Sequence, residues 1–204
     1  MAQLFHRGAN NIAKASMVVA IVLGGVVFYG YTQIARSSYL TNRGVEKQQP
    51  VQFSHKHHVG DDGIDCRYCH TSVETGASAG IPPTQTCMNC HTRVLPDSPE
   101  IQKILKAIED DKPIEWIKVN DLPDHVVFNH SRHVTAGVNC NTCHGPVETM
   151  EKVSQFSTFS MGSCISCHRT HQNVLLDGDG NPQFSVEKTQ KTLMAPTDCA
   201  SCHH

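Results

Sequence analysis

Asp65-Cys66-Arg67-Tyr68-Cys69-His70 decides how the whole chain is read, because its C-x-x-C-H pattern returns at Cys87–His91, Cys140–His144, Cys164–His168 and Cys199–His203. The five runs use all ten cysteines of the 204 residues. Two cysteines followed at once by histidine form the attachment signal for a c-type haem. The thiols add across the vinyl groups of one porphyrin, and the histidine turns back onto its iron. The spacing is tight because all three groups must meet one rigid macrocycle. Cys66, Cys69, Cys87, Cys90, Cys140, Cys143, Cys164, Cys167, Cys199 and Cys202 are therefore read as the attachment points of five covalently bound haems. His70, His91, His144, His168 and His203 are the proximal ligands of the same reading. A zinc ribbon pairs its cysteines but requires no histidine after every second one. A disulfide framework would scatter them.

Apolar residues make up 39% of the chain, below the roughly 45–50% of ordinary globular domains. Such a chain buries little side-chain core of its own, and the haems supply the missing apolar mass. The expected fold is mostly irregular and loop-rich, with short α-helices around stacked haems and one N-terminal transmembrane helix. A formal charge of −2 points to no nucleic-acid partner.

Residues 15–35 contain no charged side chain, and Met17–Tyr31 is almost wholly apolar. A helix of that length spans about 30 Å. After Tyr31 the sequence Thr-Gln-Ile-Ala-Arg-Ser-Ser lacks a good small-x-small cleavage site, which favours a retained anchor over a signal peptide. Arg7 and Lys14 precede the segment while Arg36, Arg43 and Lys47 follow it, so positive charge does not set its orientation. Haem attachment to C-x-x-C-H takes place on the outer side of the energy-transducing membrane, which puts the haem domain in the periplasm of a bacterial inner membrane. The expected organisation is a cytoplasmic segment 1–14, an anchor 15–35 and a single-pass, periplasmic pentahaem domain 36–204.

The haem domain repeats. Phe53-Ser-His55-Lys-His-His58 precedes two attachment runs, and Phe128-Asn-His130-Ser-Arg-His133 precedes two more. The dihaem repeats cover 51–92 and 126–172, joined by a linker 93–125, and the fifth haem belongs to 173–204. An electron-transfer iron needs a second strong axial ligand. His55, His58, His130 and His133 are the natural distal set, since the repeat presents them twice in one frame. The first histidine of each pair is well placed to cap the haem that follows. Met161, His171, His125, His57 and His204 are the candidates for the fifth distal position.

In the linker, Ser98-Pro99 reads as a helix start. Ile101, Ile104, Leu105 and Ile108 form one apolar face, and the helix should end near Asp110–Asp111. Ile114–Val119 looks extended, with Trp116 as a packing anchor between the haem units. Asp177-Gly-Asp-Gly-Asn181 resembles the start of a calcium loop, but Pro182 stands where that loop needs glycine, so it reads as a polar turn.

Val126-Val-Phe-Asn-His130-Ser-Arg-His133, followed by an attachment run, resembles the distal-ligand motif of the cytochrome c3/c7 group. Asp65–His70, Gly80-Ile-Pro-Pro83, Thr86–His91, Pro113-Ile-Glu-Trp116 and Met161-Gly-Ser-Cys164 resemble the pentahaem cytochrome subunit of bacterial alternative complex III, as does Met1-Ala-Gln-Leu-Phe-His6 with its single anchor. Ser163 departs mildly, since tryptophan or a similar residue is expected there. The resemblance implies a non-catalytic subunit that carries electrons from integral membrane quinol-binding subunits and a large periplasmic iron–sulfur subunit. Its acceptor would be a monohaem cytochrome c or a terminal oxidase. It also implies Met161 as the fifth distal ligand, which would give that haem a higher potential than histidine does.

Two other functions fit parts of the pattern. A catalytic multihaem reductase needs an iron with an open site, which the generous histidine supply argues against. A membrane-anchored quinol dehydrogenase cytochrome feeding a periplasmic reductase differs only in its partners.

Overall fold

The computed structural model describes residues 5–170, 175–176, 182–183 and 195–203. His171, His204 and the Asp177–Asn181 turn lie outside them. The chain forms two compact units that divide after Arg43.

The first unit is dominated by α1, Ala9–Arg36, a helix of 28 residues. At 1.5 Å per residue it is about 42 Å long. It starts six residues before the predicted span, because Asn10, Asn11 and Lys14 carry no helix breaker and simply extend the apolar helix into a polar end. Extended Ser37 stops it, with its N–H donating to the Ile34 carbonyl at 3.0 Å. None of its residues is buried, and Ile21, Val27 and Phe28 are at least 70% exposed. A long helix, apolar through its middle and with none of its residues buried, fits a membrane anchor. A short helix α2, Ser38–Thr41, completes the unit.

In the second unit the hydrocarbon core is thin, as the composition predicts. Val51, Val73, Ile101 and Ile104 are the buried apolar residues among those described. The unit is built from short helices: α3 (Cys66–Cys69), α4 (Thr84–His91), α5 (Pro99–Glu109), α6 (His130–Thr135), α7 (Cys140–His144) and α8 (Met161–Thr170). The β structure includes one antiparallel pair, β1 (Leu175–Leu176) with β2 (Pro182–Gln183), and the isolated bridges Glu46–Ser154 and Val126–His203.

Linker helix α5 starts at Pro99 and ends before Asp110, as its sequence predicts. Ser98 takes the N-cap position without a side-chain bond, and its carbonyl accepts from the Gln102 N–H at 2.9 Å. Ile101 and Ile104 pack with Val51, and Leu105, Ile108, Met88 and Trp116 close around them. Trp116 is therefore a packing residue, set against the cluster of Val51, Ile101 and Ile104. The Gln49 side chain holds the extended 114–119 segment. Its Nε2 donates to the Ile117 carbonyl at 2.9 Å, and its Oε1 accepts from the Ile117 N–H at 2.8 Å.

Two glycines permit close approaches. The π-helical turn Lys56–Asp61 packs on the 3₁₀ turn Val147–Thr149, and a Cβ on Gly60 would sit 2.3 Å from the Glu148 carbonyl oxygen. Gly145, at φ +73°, would put a Cβ 2.4 Å from the Phe156 ring. Backbone cannot yield as a flexible side chain does, so Gly60→Ala should cost about 2–3 kcal/mol. A lowered guanidinium midpoint at unchanged haem content is the expected result.

Candidate haem-binding site

Three attachment runs are capped by a polar residue just ahead of the first cysteine, while the Cys87 run lies within α4, whose N-cap Pro83 makes no side-chain bond. The Asp65 carboxylate accepts from the Arg67 N–H at 2.8 Å, Asn139 Oδ1 from the Asn141 N–H at 3.0 Å, and Asp198 from the Ser201 N–H at 3.0 Å. At α8 the Ser160 hydroxyl accepts from the Ser163 N–H at 3.3 Å. These caps satisfy N–H groups that a short helix leaves orphaned. On the turn that follows, positions i, i+3 and i+4 share one face. Both thiols and the histidine of a run thus point the same way. None of the ten cysteines is paired in a disulfide.

The runs open onto one continuous cleft of about 3400 Å³ that reaches from Lys47 to His203. A single small ligand fills roughly 300–1,000 Å³, so this space suits several large flat groups.

Histidine rings face one another across it. His130 stands opposite His144 with ring centres 6.3 Å apart and planes 6° from parallel. His58 faces His91 at 6.0 Å, His133 faces His168 at 6.0 Å, and His125 faces His203 at 5.6 Å. With a metal–nitrogen bond of about 2 Å on either side and about 1.1 Å from nitrogen to ring centre, two imidazoles sharing one iron have centres about 6 Å apart. The residues present therefore fit haem held between paired imidazoles.

The remaining proximal histidine, His70, lies within electrostatic reach of His55. His55 is pushed down to about 4 by burial first and then by His70 and His58, and its Nδ1 has no hydrogen-bond partner. Burial, then His130 and His70, also lowers His144. Both rings are thus kept neutral, the form that binds metal.

Hydrogen bonds orient seven of the rings. A carbonyl only accepts, so a ring nitrogen bonded to one carries the proton and leaves Nε2 free for a metal. His70 Nδ1 donates to the Gly80 carbonyl at 2.6 Å, His91 to Val94 at 2.9 Å, His168 to Pro196 at 2.6 Å and His203 to His125 at 3.3 Å. Among the distal candidates, His58 donates to Ser54 at 2.8 Å, His130 to Ala77 at 2.8 Å and His133 to Asn129 at 2.9 Å.

The two repeats share one local design. Phe53 stacks on His58 at 4.3 Å and meets His55 edge-on at 4.8 Å; Phe128 does the same to His133 at 4.5 Å and His130 at 4.8 Å. In each repeat one turn therefore serves two attachment runs, its first histidine toward the nearer run and its second toward the farther.

The structure sets His125 opposite His203, while Met161 begins α8 and is 59% exposed. His57 points to carboxylates, 3.4 Å from Asp61 and 3.9 Å from Asp62. The Asp or Asn before three of the five first cysteines was the sequence signal for the capped turns, and it is readable in hindsight from helix-capping preference alone.

Known multihaem cytochromes resemble this chain in sequence. Residues 32–119 match the class III cytochrome C family, and residues 132–204 match the cytochrome c3 family. The chain is also 30% identical to the multihaem cytochrome c subunit of menaquinone reductase from Nitratidesulfovibrio vulgaris, over 84% of this chain and 87% of that one.

Proposed function

The chain belongs to the cytochrome c3-like family of multihaem c-type cytochromes that transfer electrons, and from that premise we propose that it is the pentahaem, non-catalytic wire of a membrane quinone oxidoreductase of the alternative complex III kind. The observation that carries the proposal is the set of imidazole pairs about 6 Å apart, one for each attachment run once His55 is set against His70. Haem, when bound, supplies the one-electron iron couple. The polypeptide's part would be to fix seven of the rings by Nδ1 hydrogen bonds, keep His55 and His144 neutral and, by pairing imidazoles, exclude small molecules. Imidazoles paired in this way would hold a haem iron for electron transfer and not for substrate chemistry.

The proposed distal ligands are His55, His58, His130, His133 and His125, with Met161 left exposed at the start of α8. His125 replaces the Met161 expected from the resemblance, because its ring and not the thioether stands across from His203. In this account residues 1–14 are cytoplasmic, 15–35 cross the inner membrane and 36–204 form the periplasmic haem domain. The partners are integral quinone-binding subunits, a large periplasmic iron–sulfur subunit, and a monohaem cytochrome c or terminal oxidase. Full-length protein should resist extraction by alkaline carbonate, while a chain starting at Gly44 should appear in the soluble fraction; a soluble full-length chain would contradict the anchor.

The direction of flow has two readings. The resemblance implies that quinol is oxidised, whereas the relative's name, menaquinone reductase, favours electrons passing to the quinone. Purification from native membranes in mild detergent tests both. Co-purifying iron–sulfur and multi-span subunits with quinol:cytochrome c activity support the first direction; the same partners reducing a menaquinone analogue support the second. Emergence alone, or with a periplasmic reductase, would overturn the assigned complex.

A further inference from the structure

Runs one and two touch: Asn89 Nδ2 donates to the Tyr68 hydroxyl at 3.1 Å, joining the interiors of the Cys87 and Cys66 runs. Runs three and four share the turn carrying His130 and His133, which face His144 and His168 respectively. The informative junction is the one between the two repeats. There the loop just after the first run receives the second repeat's ligand turn. The His130 N–H and Nδ1 both donate to the Ala77 carbonyl, at 3.1 and 2.8 Å, and the Ser131 N–H donates to Gly76 at 3.2 Å. Cys66 is an electrostatic neighbour of Cys140, and His70 of His144. No hydrogen bond or ring contact joins Cys87–His91 to Cys140–His144 among the described residues. At the far end, His168 Nδ1 donates to the Pro196 carbonyl, three residues before Cys199.

We propose that the two repeats meet through their first attachment runs, so that the runs lie in the spatial order Cys87, Cys66, Cys140, Cys164, Cys199 and the wire does not follow sequence order. This deepens the pentahaem reading and rests on it. The Cys87 run is then one end of the path, and the Cys66 and Cys140 runs form its centre.

Proton nuclear Overhauser spectra of the reduced, diamagnetic full chain in detergent micelles test the order. Each haem is assigned through the thioether protons of its own cysteines, so no variant has to fold. Cross-peaks between ring substituents of the haems on Cys66/Cys69 and on Cys140/Cys143, with none between those on Cys87/Cys90 and Cys140/Cys143, are the expected result. Cross-peaks from the Cys87/Cys90 haem to the Cys140/Cys143 haem, or none between the Cys66/Cys69 and Cys140/Cys143 haems, would overturn it. Intact mass of the same sample counts the haems separately, so failure of the pentahaem reading and failure of the order appear in different observables.

Discussion

Replacing Cys140 and Cys143 together by alanine is expected to leave the chain one haem short and to destabilise the haem domain by more than about 4 kcal/mol, the range reserved for loss of a core element. The reason lies in how little else is buried. Four apolar side chains are buried among the described residues, and three of them form one cluster beside α5. The second repeat has no comparable cluster, so the apolar mass around α7 has to come from the prosthetic group. The loss should appear as a mass deficit of one haem together with raised susceptibility to limited proteolysis across 126–170. A variant short of one haem but as stable as the parent would show that the polypeptide holds itself together.

The second large effect concerns His125. His125→Ala should leave the iron of the Cys199/Cys202 haem with one open axial position. The ferrous protein would then bind carbon monoxide at one haem equivalent, where the parent binds none. His125→Met should restore six-coordination and raise one potential, within the roughly 0.8 V range over which axial ligands set haem potentials. Met161→Leu should change neither the carbon monoxide spectrum nor the redox titration. Loss of one high-potential transition in Met161→Leu would instead return the thioether to the iron.

What the sequence makes legible follows from range. Cysteines and proximal histidines sit on single turns, where five consecutive residues carry the whole signal. The Phe-x-His-x-x-His turns are legible because they occur twice, and each holds its two imidazoles on one Phe ring. The linker helix was legible because a start signal and a 3.6-residue apolar period coincide. His125 was one candidate among five because it lies outside the repeat and 78 residues from His203. Its placement depends on a backbone pairing no local pattern announces: Val126 bridges to His203, and the Val127 N–H donates to the Cys202 carbonyl at 2.8 Å. The π-turn at Lys56–Asp61 was hidden for the same reason. The equivalent turn of the second repeat is α-helical, and what distinguishes the first is the distant Glu148 backbone pressed onto Gly60.

The central claim is that every iron in this chain lies between two imidazoles and is therefore built to pass electrons rather than to bind substrate. Exposure of the dithionite-reduced, full-length protein to carbon monoxide tests it most directly. The account predicts an unchanged Soret spectrum at saturating gas. A carbon monoxide-bound band amounting to one haem per chain would contradict it and would point to a reactive iron.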